Sequence, residues 1–183
     1  MVNLIFRTAL QWFRSRRASK LHVHDVGRTS FHVLPTDLDI LGHMNNGVYF
    51  SIMDLGRMDL MIRAGSWAKL VEHGYYPVAS NETITFRKSL QPWQRFDLET
   101  RIVGYDEKAV FVEQRFVVKG EIYARAFMRG RFLKKTGGTV SLQELTDALG
   151  VDTSEVTLPK WLARWSDDVV LPATKVPAPS TWV

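Results

Sequence analysis

The sequence predicts an α+β domain in which a curled antiparallel β-sheet wraps around one long central helix, with helical extensions at both ends. Two observations carry most of this expectation. VYFSIMDLGRMDLMIRAG, residues 48–65, is apolar on nearly every side and is interrupted only by Asp54, Arg57, Asp59 and Arg63; a helix of that kind has to be enclosed by other structure. From residue 78 the apolar period changes from helical to alternating through VASNETITFRKSL, RFDLETRIVGYD, AVFVEQRFVVKG and EIYARAFMRGRFLKK, which predicts four successive strands. A further short strand, RTSFHVL at 28–34, precedes the helix and is ended by Pro35.

In chain order, residues 1–25 form a basic amphipathic helix. Val2, Ile5, Phe6, Ala9, Leu10 and Phe13 share one face, and Arg7, Arg14, Arg16, Arg17 and Lys20 gather towards the end. The charge follows the apolar residues instead of preceding them, and no small-residue cleavage site is visible, which argues against a secretory signal. Three roles stay open for it: packing by its apolar face on its own domain or a partner subunit, lying on a membrane surface, or serving as an organellar transit peptide. It precedes the first strand and is expected to contribute nothing to the loop at 36–45.

Residues 26–136 form the central domain. Asn45 or Asn46 is placed to cap the long helix, Arg63 to complement the negative end of its dipole, and Gly65 to terminate it. The links QPWQ, DEK and KGE are short and turn-like, so sequential strands are expected to pair as an antiparallel meander. In the last strand Ile122, Ala124, Ala126, Met128 and Gly130 share one small, apolar face that admits a helix close to the sheet. Residues 137–183 form an extension: a Ser141 to Glu144 capping box opens one helix, LPKWLARWSDD suggests another, and LPATKVPAPSTWV is a Pro-rich tail. Trp161 and Trp165 suit core plugs or a subunit contact.

Composition narrows the chemistry. A chain of 183 residues with 45% hydrophobic content can build one domain with a real core. With no cysteine, disulfides, thiolate metal sites and a cysteine nucleophile are excluded, and a cytoplasmic location is the expectation. No apolar run of about eighteen residues occurs to span a bilayer as a helix. The net charge of +5 suits an acidic partner: nucleic acid, an anionic lipid surface or a phosphate-bearing small molecule. His22 and His24 form an H-x-H pair without further organised ligands, so no metal is expected. No G-x-S-x-G, G-x-G-x-x-G or phosphate-cradling glycine loop is present. The face Tyr123, Arg125, Phe127, Arg129 interleaves aromatic and basic residues, but no nucleic-acid motif accompanies it.

The densest chemistry lies in TDLDILGHMNNGVYF, residues 36–50. The pattern PTDLDxxGHMNNGxYxxxxDxGR, from Pro35 to Arg57, resembles the 4-hydroxybenzoyl-CoA thioesterase-like branch of the hotdog fold, and within it the thioesterase superfamily member 6-like proteins. The likeness covers about residues 28–135, where the order of elements also agrees. It implies an acyl-CoA thioesterase without a cofactor, assembled as a homodimer or homotetramer, in which Asp39 is the catalytic carboxylate. The chemistry suits such a residue. A thioester carbonyl needs a carboxylate as nucleophile or as base for water, with donors aimed at the developing oxyanion. The first turn of a helix supplies such N–H groups. Gly42 lets the chain pass close to a substrate, His43 could hydrogen-bond Asp39, and Asn45 or Asn46 could position a water. Tyr49 suits either core packing or a substrate contact, and Arg87 and Lys88 are candidates for coenzyme A phosphates, with Arg129 and Arg131 behind them. Taken singly, each also suits an ordinary loop, cap or strand-face role, Asp37 most of all. Asp54 is the second-choice acid, with Arg57 at i+3 giving it a structural role. Two other functions are weighed: a non-catalytic acyl or lipid binder, and a hotdog hydratase. The hydratases resemble one another in a proline between Asp and His, and none lies between Asp39 and His43.

Overall fold

The computed structural model describes residues 2–173 and 176–181, with the side chains of Val2 and Asn3 outside it. Val2, counted above on the apolar face of the first helix, and the tail residues 174, 175, 182 and 183 therefore lie outside the described side chains.

The elements follow the expected order with one addition. α1 (Val2–Arg17) precedes β1 (Gly27–His32), a single 3-10 turn at Pro35–Asp37 and the central helix α2 (Asn46–Arg63). A short helix the sequence reading missed, α3 (Ser66–Glu72), leads into β2 (Tyr75–Phe86), β3 (Arg95–Tyr105), β4 (Ala109–Val118) and β5 (Glu121–Lys134). α4 (Leu142–Leu149), a second 3-10 turn at Thr153–Glu155 and α5 (Lys160–Asp168) complete the chain. Asn45 caps α2 by accepting the Gly47 N–H at 2.8 Å. Ala64 closes the helix and Gly65, at φ +74, turns the chain into α3. The Ser141–Glu144 capping box opens α4 as expected.

All five strands form one antiparallel sheet in the order β1-β3-β4-β5-β2. The expected meander holds for β3, β4 and β5 but fails at QPWQ: β2 pairs with β5, and β3 pairs with β1. Residues 87–94 therefore do not make a hairpin. They cross the end of the curled sheet, tied to β5 where the Arg87 and Lys88 N–H groups donate to the Tyr123 carbonyl and to the chain after β1 where Trp93 N–H donates to Val33 O. Leu90, fully buried at the middle of the crossing, plugs that end of the core. An apolar anchor under a polar, turn-rich stretch is what a local pattern for hairpins does not reveal.

The sheet curls around α2. Ile52, Met53 and Leu55 pack with Phe96, Leu98 and Phe116 and the small Ala124 and Ala126, so the predicted small face of β5 is the one that receives the helix. At Gly56 the helix comes closest: a Cβ there would stand 2.5 Å from Leu98 Cδ2 and 2.7 Å from Thr100 Oγ1. The outer face of the sheet is covered by the extension after the last strand. Leu158, Leu162 and Trp165 pack on Val103, Phe111 and Phe127, and the Trp161 ring meets Phe127 edge-on at 4.8 Å. The aromatic and basic face of β5 is thus partly engaged within the domain, with Arg129 held twice by Asp106 and the exposed Arg125 paired with Glu113.

The helix-to-sheet crossing makes Gly56→Val a direct test of the packing. Overpacking a fixed crossing costs about 1–3 kcal/mol, and valine recovers little helix propensity over glycine. The denaturation midpoint should fall accordingly, and an unchanged midpoint would show that α2 has room to move away.

Candidate active site

The loop between the first 3-10 turn and α2 is a tight hairpin closed by its own acids. Leu38 and Met44 pair across it, Asp39 N–H donates to His43 O at 2.9 Å, and Gly42 N–H donates to Asp39 O at 3.1 Å. Gly42 takes φ +78, which fits glycine at this turn. Asp39 Oδ1 accepts the Leu41 N–H at 2.9 Å, and Oδ2 lies 3.3 Å from His43 Nδ1. Both side chains keep partial access to solvent, at 21% and 29%. The hairpin thus presents one carboxylate oxygen engaged by backbone and another facing an imidazole, directly ahead of a helix.

The start of α2 is partly occupied. Asn45 takes the Gly47 N–H with its side chain and the Val48 N–H with its carbonyl, so the first-turn donor outside those bonds is the Asn46 N–H. Asp37 is committed elsewhere. Its Oδ2 accepts from Leu34 N–H at 2.8 Å and Arg7 Nη2 at 2.7 Å, and its carbonyl accepts the Asn45 N–H. Arg7 belongs to α1, so the first helix does brace the loop, against the expectation that it contributes nothing there.

At the same end, Arg87 and Lys88 share Glu121, each at 2.7 Å. They are four and three residues before Gln91 on the crossing segment, whose Leu90 carbonyl accepts the Met44 N–H. Tyr49 is 1% exposed, its ring edge-on to Phe86 and Phe116 and its hydroxyl accepting the Leu90 N–H at 3.3 Å. It is a core residue of the subunit and not a surface open to substrate, and burial raises its pKa. Arg129, bound to Asp106, is likewise structural.

An apolar cavity of about 1010 Å³, counting the part open to solvent, occupies the other half of the fold. The C-terminal half of α2 (Leu60, Met61), α3 (Leu70), the sheet (Val112, Met128) and α4 (Leu145) line it. Asp54 and Arg57 are the charged residues of its lining, and Pro77, Val78 and Ala79 of the edge strand β2 also line it. Arg57 holds Asp54, donates to Gln114 Oε1 at 2.8 Å, and pairs with Glu82 of β2 at 2.8 Å. Burial raises the Glu82 pKa; Arg57 opposes that shift and the Asp54 charge adds to it. Glu82 was not singled out from sequence, because nothing local links a strand residue to α2. From Asn46 to Asp54 the helix rises about 12 Å, so the Asp39 hairpin and the cavity stand apart within the chain.

The comparisons with known proteins agree with this geometry. Residues 33–166 match the model of the thioesterase-like superfamily. The chain belongs to that superfamily. It is 38% identical over 99 residues to protein THEM6 of Xenopus laevis, covering 54% of this chain and 48% of that protein. It is 33% identical over 132 residues to THEM6 of Danio rerio, covering 71% and 65%. The chain thus spans about half to two thirds of the length of these relatives. Among solved structures, a probable thioesterase of Escherichia coli, YbaW, superposes with a TM-score of 0.63 at 21% identity, covering 67% of this chain and 95% of that one. A gentisyl-coenzyme A thioesterase, BH1999, superposes at 0.59 and 16% identity, covering 66% and 98%. The fold is the hotdog fold, and the superfamily match continues past the sheet into α5, so the extension packed on the outer face lies within it.

One cluster outside this site needs an account. His22 and His24 are joined by Glu155, whose Oε2 lies 3.7 Å and 2.9 Å from their Nδ1 atoms. The third group, absent from the sequence expectation, comes from 131 residues away. His24 is nonetheless already satisfied on both ring nitrogens, by Glu155 and by Tyr105 Oη at 2.7 Å, so the cluster clips the extension to the segment before β1.

Removing Arg57 tests the charged lining. Glu82 has a folded pKa above its unfolded one, so its unfavourable contribution is absent at pH below the unfolded value and grows as pH rises through the folded value. Without Arg57 the shift enlarges. Arg57→Leu should therefore lose about 3 kcal/mol near neutral pH, with the deficit narrowing as pH falls through the carboxylate range, and Glu82→Gln in the same chain should recover part of it. Urea denaturation across pH measures this; a deficit independent of pH would remove Glu82 from the explanation.

Proposed function

We propose that the protein hydrolyses an acyl-CoA thioester, with Asp39 as general base or nucleophile. The observation that carries this is the Asp39–His43 pair in the hairpin ahead of α2, on the residues where the sequence resembles the thioesterase pattern. As base, Asp39 takes a proton from water while the water oxygen attacks the thioester carbonyl. The oxyanion is met by the Asn46 N–H and the positive end of the helix dipole. Collapse breaks the C–S bond, and the thiolate leaves and takes up a proton. His43 stands beside the carboxylate, its Nδ1 3.3 Å from Oδ2. Arg87 and Lys88, two cations sharing one acid, suit a coenzyme A phosphate, and the apolar cavity suits the acyl chain.

The separation between carboxylate and cavity is resolved by a homodimer. β2 is an edge strand of twelve residues that pairs only with β5 within the sheet, although Val169 after α5 accepts from the Asn81 side chain. A two-fold axis near Ser80 and Asn81 would run the partner's β2 antiparallel to it. The end carrying Phe86, which runs into the segment whose Leu90 carbonyl holds Met44 of the hairpin, then meets the end carrying Pro77 to Ala79, which line the cavity. Each active site would combine one subunit's cavity with its partner's Asp39.

Asp39→Asn should keep the fold and lose at least about a hundredfold in turnover of acyl-CoA esters, followed by thiol release; wild-type kinetics would end the assignment. A mixing experiment tests the shared site. Met61→Trp fills the cavity, so each variant alone is inactive. Unfolded together and refolded in equal amounts, they should regain about a quarter of wild-type activity, because half the dimers are mixed and each of those holds one intact site. No recovery in verified mixed dimers would place the whole site within one subunit. Tight acyl-CoA binding without turnover in the wild-type chain would favour the acyl-binding alternative.

A further inference from the structure

α1 is attached to its domain the wrong way round for a packing helix. Its inward stripe is polar: Arg7 binds Asp37, Gln11 donates to Asp59 Oδ1 at 3.1 Å, and Ser15 donates to the same oxygen at 2.6 Å. Gln11 and Ser15 are 4% and 2% exposed. Spaced by four residues, these three side chains lie one above the other on the helix. The apolar face expected to pack is turned outward, with Ile5, Phe6 and Phe13 at 69%, 67% and 60% exposure. Arg14, Arg16, Arg17 and Lys20 flank it and are also exposed. None of these four has a carboxylate partner among the described residues, and no acid precedes Asp25.

We infer that α1 is a membrane-surface helix: it docks on an anionic lipid bilayer through this apolar face while its polar stripe stays fastened to the domain. Charge selects lipid over a second copy of the chain. A two-fold contact through the same face would set the uncompensated cations of both copies against each other, with no acid on either helix to offset them. Acidic headgroups receive those cations, and the apolar side chains enter the boundary between headgroups and acyl chains. No described helix is long and apolar enough to cross a membrane, so the contact is with one leaflet. Because Arg7 holds Asp37, two residues ahead of Asp39, docking would also set the hairpin at a fixed position relative to the lipid surface.

The experiment is co-sedimentation of the full chain with vesicles of phosphatidylcholine alone or with about 30% phosphatidylserine, across salt from about 0.05 to about 0.5 M. Binding should require the anionic lipid and weaken steadily with salt. Phe6→Ser with Phe13→Ser should abolish it while leaving oligomeric state unchanged and melting temperature nearly so, because both side chains are more than half exposed. Changing Arg14, Arg16, Arg17 and Lys20 to glutamine should weaken it at least about tenfold. A wild-type chain that ignores both vesicles overturns the inference. So does a double serine variant that keeps vesicle binding, or one whose oligomer dissociates, which would assign the face to another copy of the chain.

Discussion

The structure depends on laying a helix that is buried on nearly every side across a sheet at a separation only small residues permit. Gly56 on α2 and Ala124 and Ala126 on β5 set that separation. A flat sheet would leave half of such a helix in water, so the strands curl around it, and the curl makes the link between β2 and β3 a crossing over the end of the core, plugged by Leu90. The same burial takes charged residues inside. Arg57 and Asp59 lie on the enclosed helix at 8% and 2% exposure, and each is matched: Arg57 by Gln114 and Glu82, Asp59 by Gln11, Ser15 and Arg63. Unpaired, either would cost several kcal/mol.

Enclosing the helix also divides its labour. Its N-terminus must emerge from the sheet, and there the chain can hold a partly exposed carboxylate beside backbone donors. Along its second half the sheet pulls away to leave the cavity, widened where α3 and α4 stand in for a close-packed layer. The helix has 18 residues, with the hairpin ahead of its first turn and the cavity along its second half. β2, at the edge of the sheet, is the element on which the proposed shared site rests.

What was legible in the sequence is what local chemistry determines. The period of residues 48–65, the Asn45 cap, the capping box at Ser141, the small face of β5 and the likeness of the 35–57 stretch to a thioesterase pattern all depend on neighbours a few positions apart. What was hidden depends on contacts between distant segments. QPWQ has the composition of a hairpin turn, and only the burial of Leu90 against α2 makes it a crossover. Tyr49 sits amid the polar stretch but turns into the core, because Leu90 N–H gives its hydroxyl a partner there. Glu155 reaches the histidine pair across 131 residues, and Glu82 reaches Arg57 from a different element altogether.

The N-terminal helix shows the limit most plainly, because amphipathicity tells that a helix has two faces but not which one docks. The decision lies with the domain it meets. Asp37 and Asp59 are nearly buried carboxylates, at 3% and 2% exposure; the Leu34 N–H and Arg63 satisfy part of each, and taking away the remaining donors costs about 1–3 kcal/mol per group, more where the group is charged. Burying an exposed phenylalanine or isoleucine returns about 1.5–3 kcal/mol. Turning α1 over would gain a few such side chains but strip two carboxylates of Arg7, Gln11 and Ser15, so the polar face wins the contact. The apolar face is then left in water unless something apolar covers it. The helix that satisfies the core's acids is for that reason also the element with an exposed apolar face, the face that the proposed lipid contact would cover.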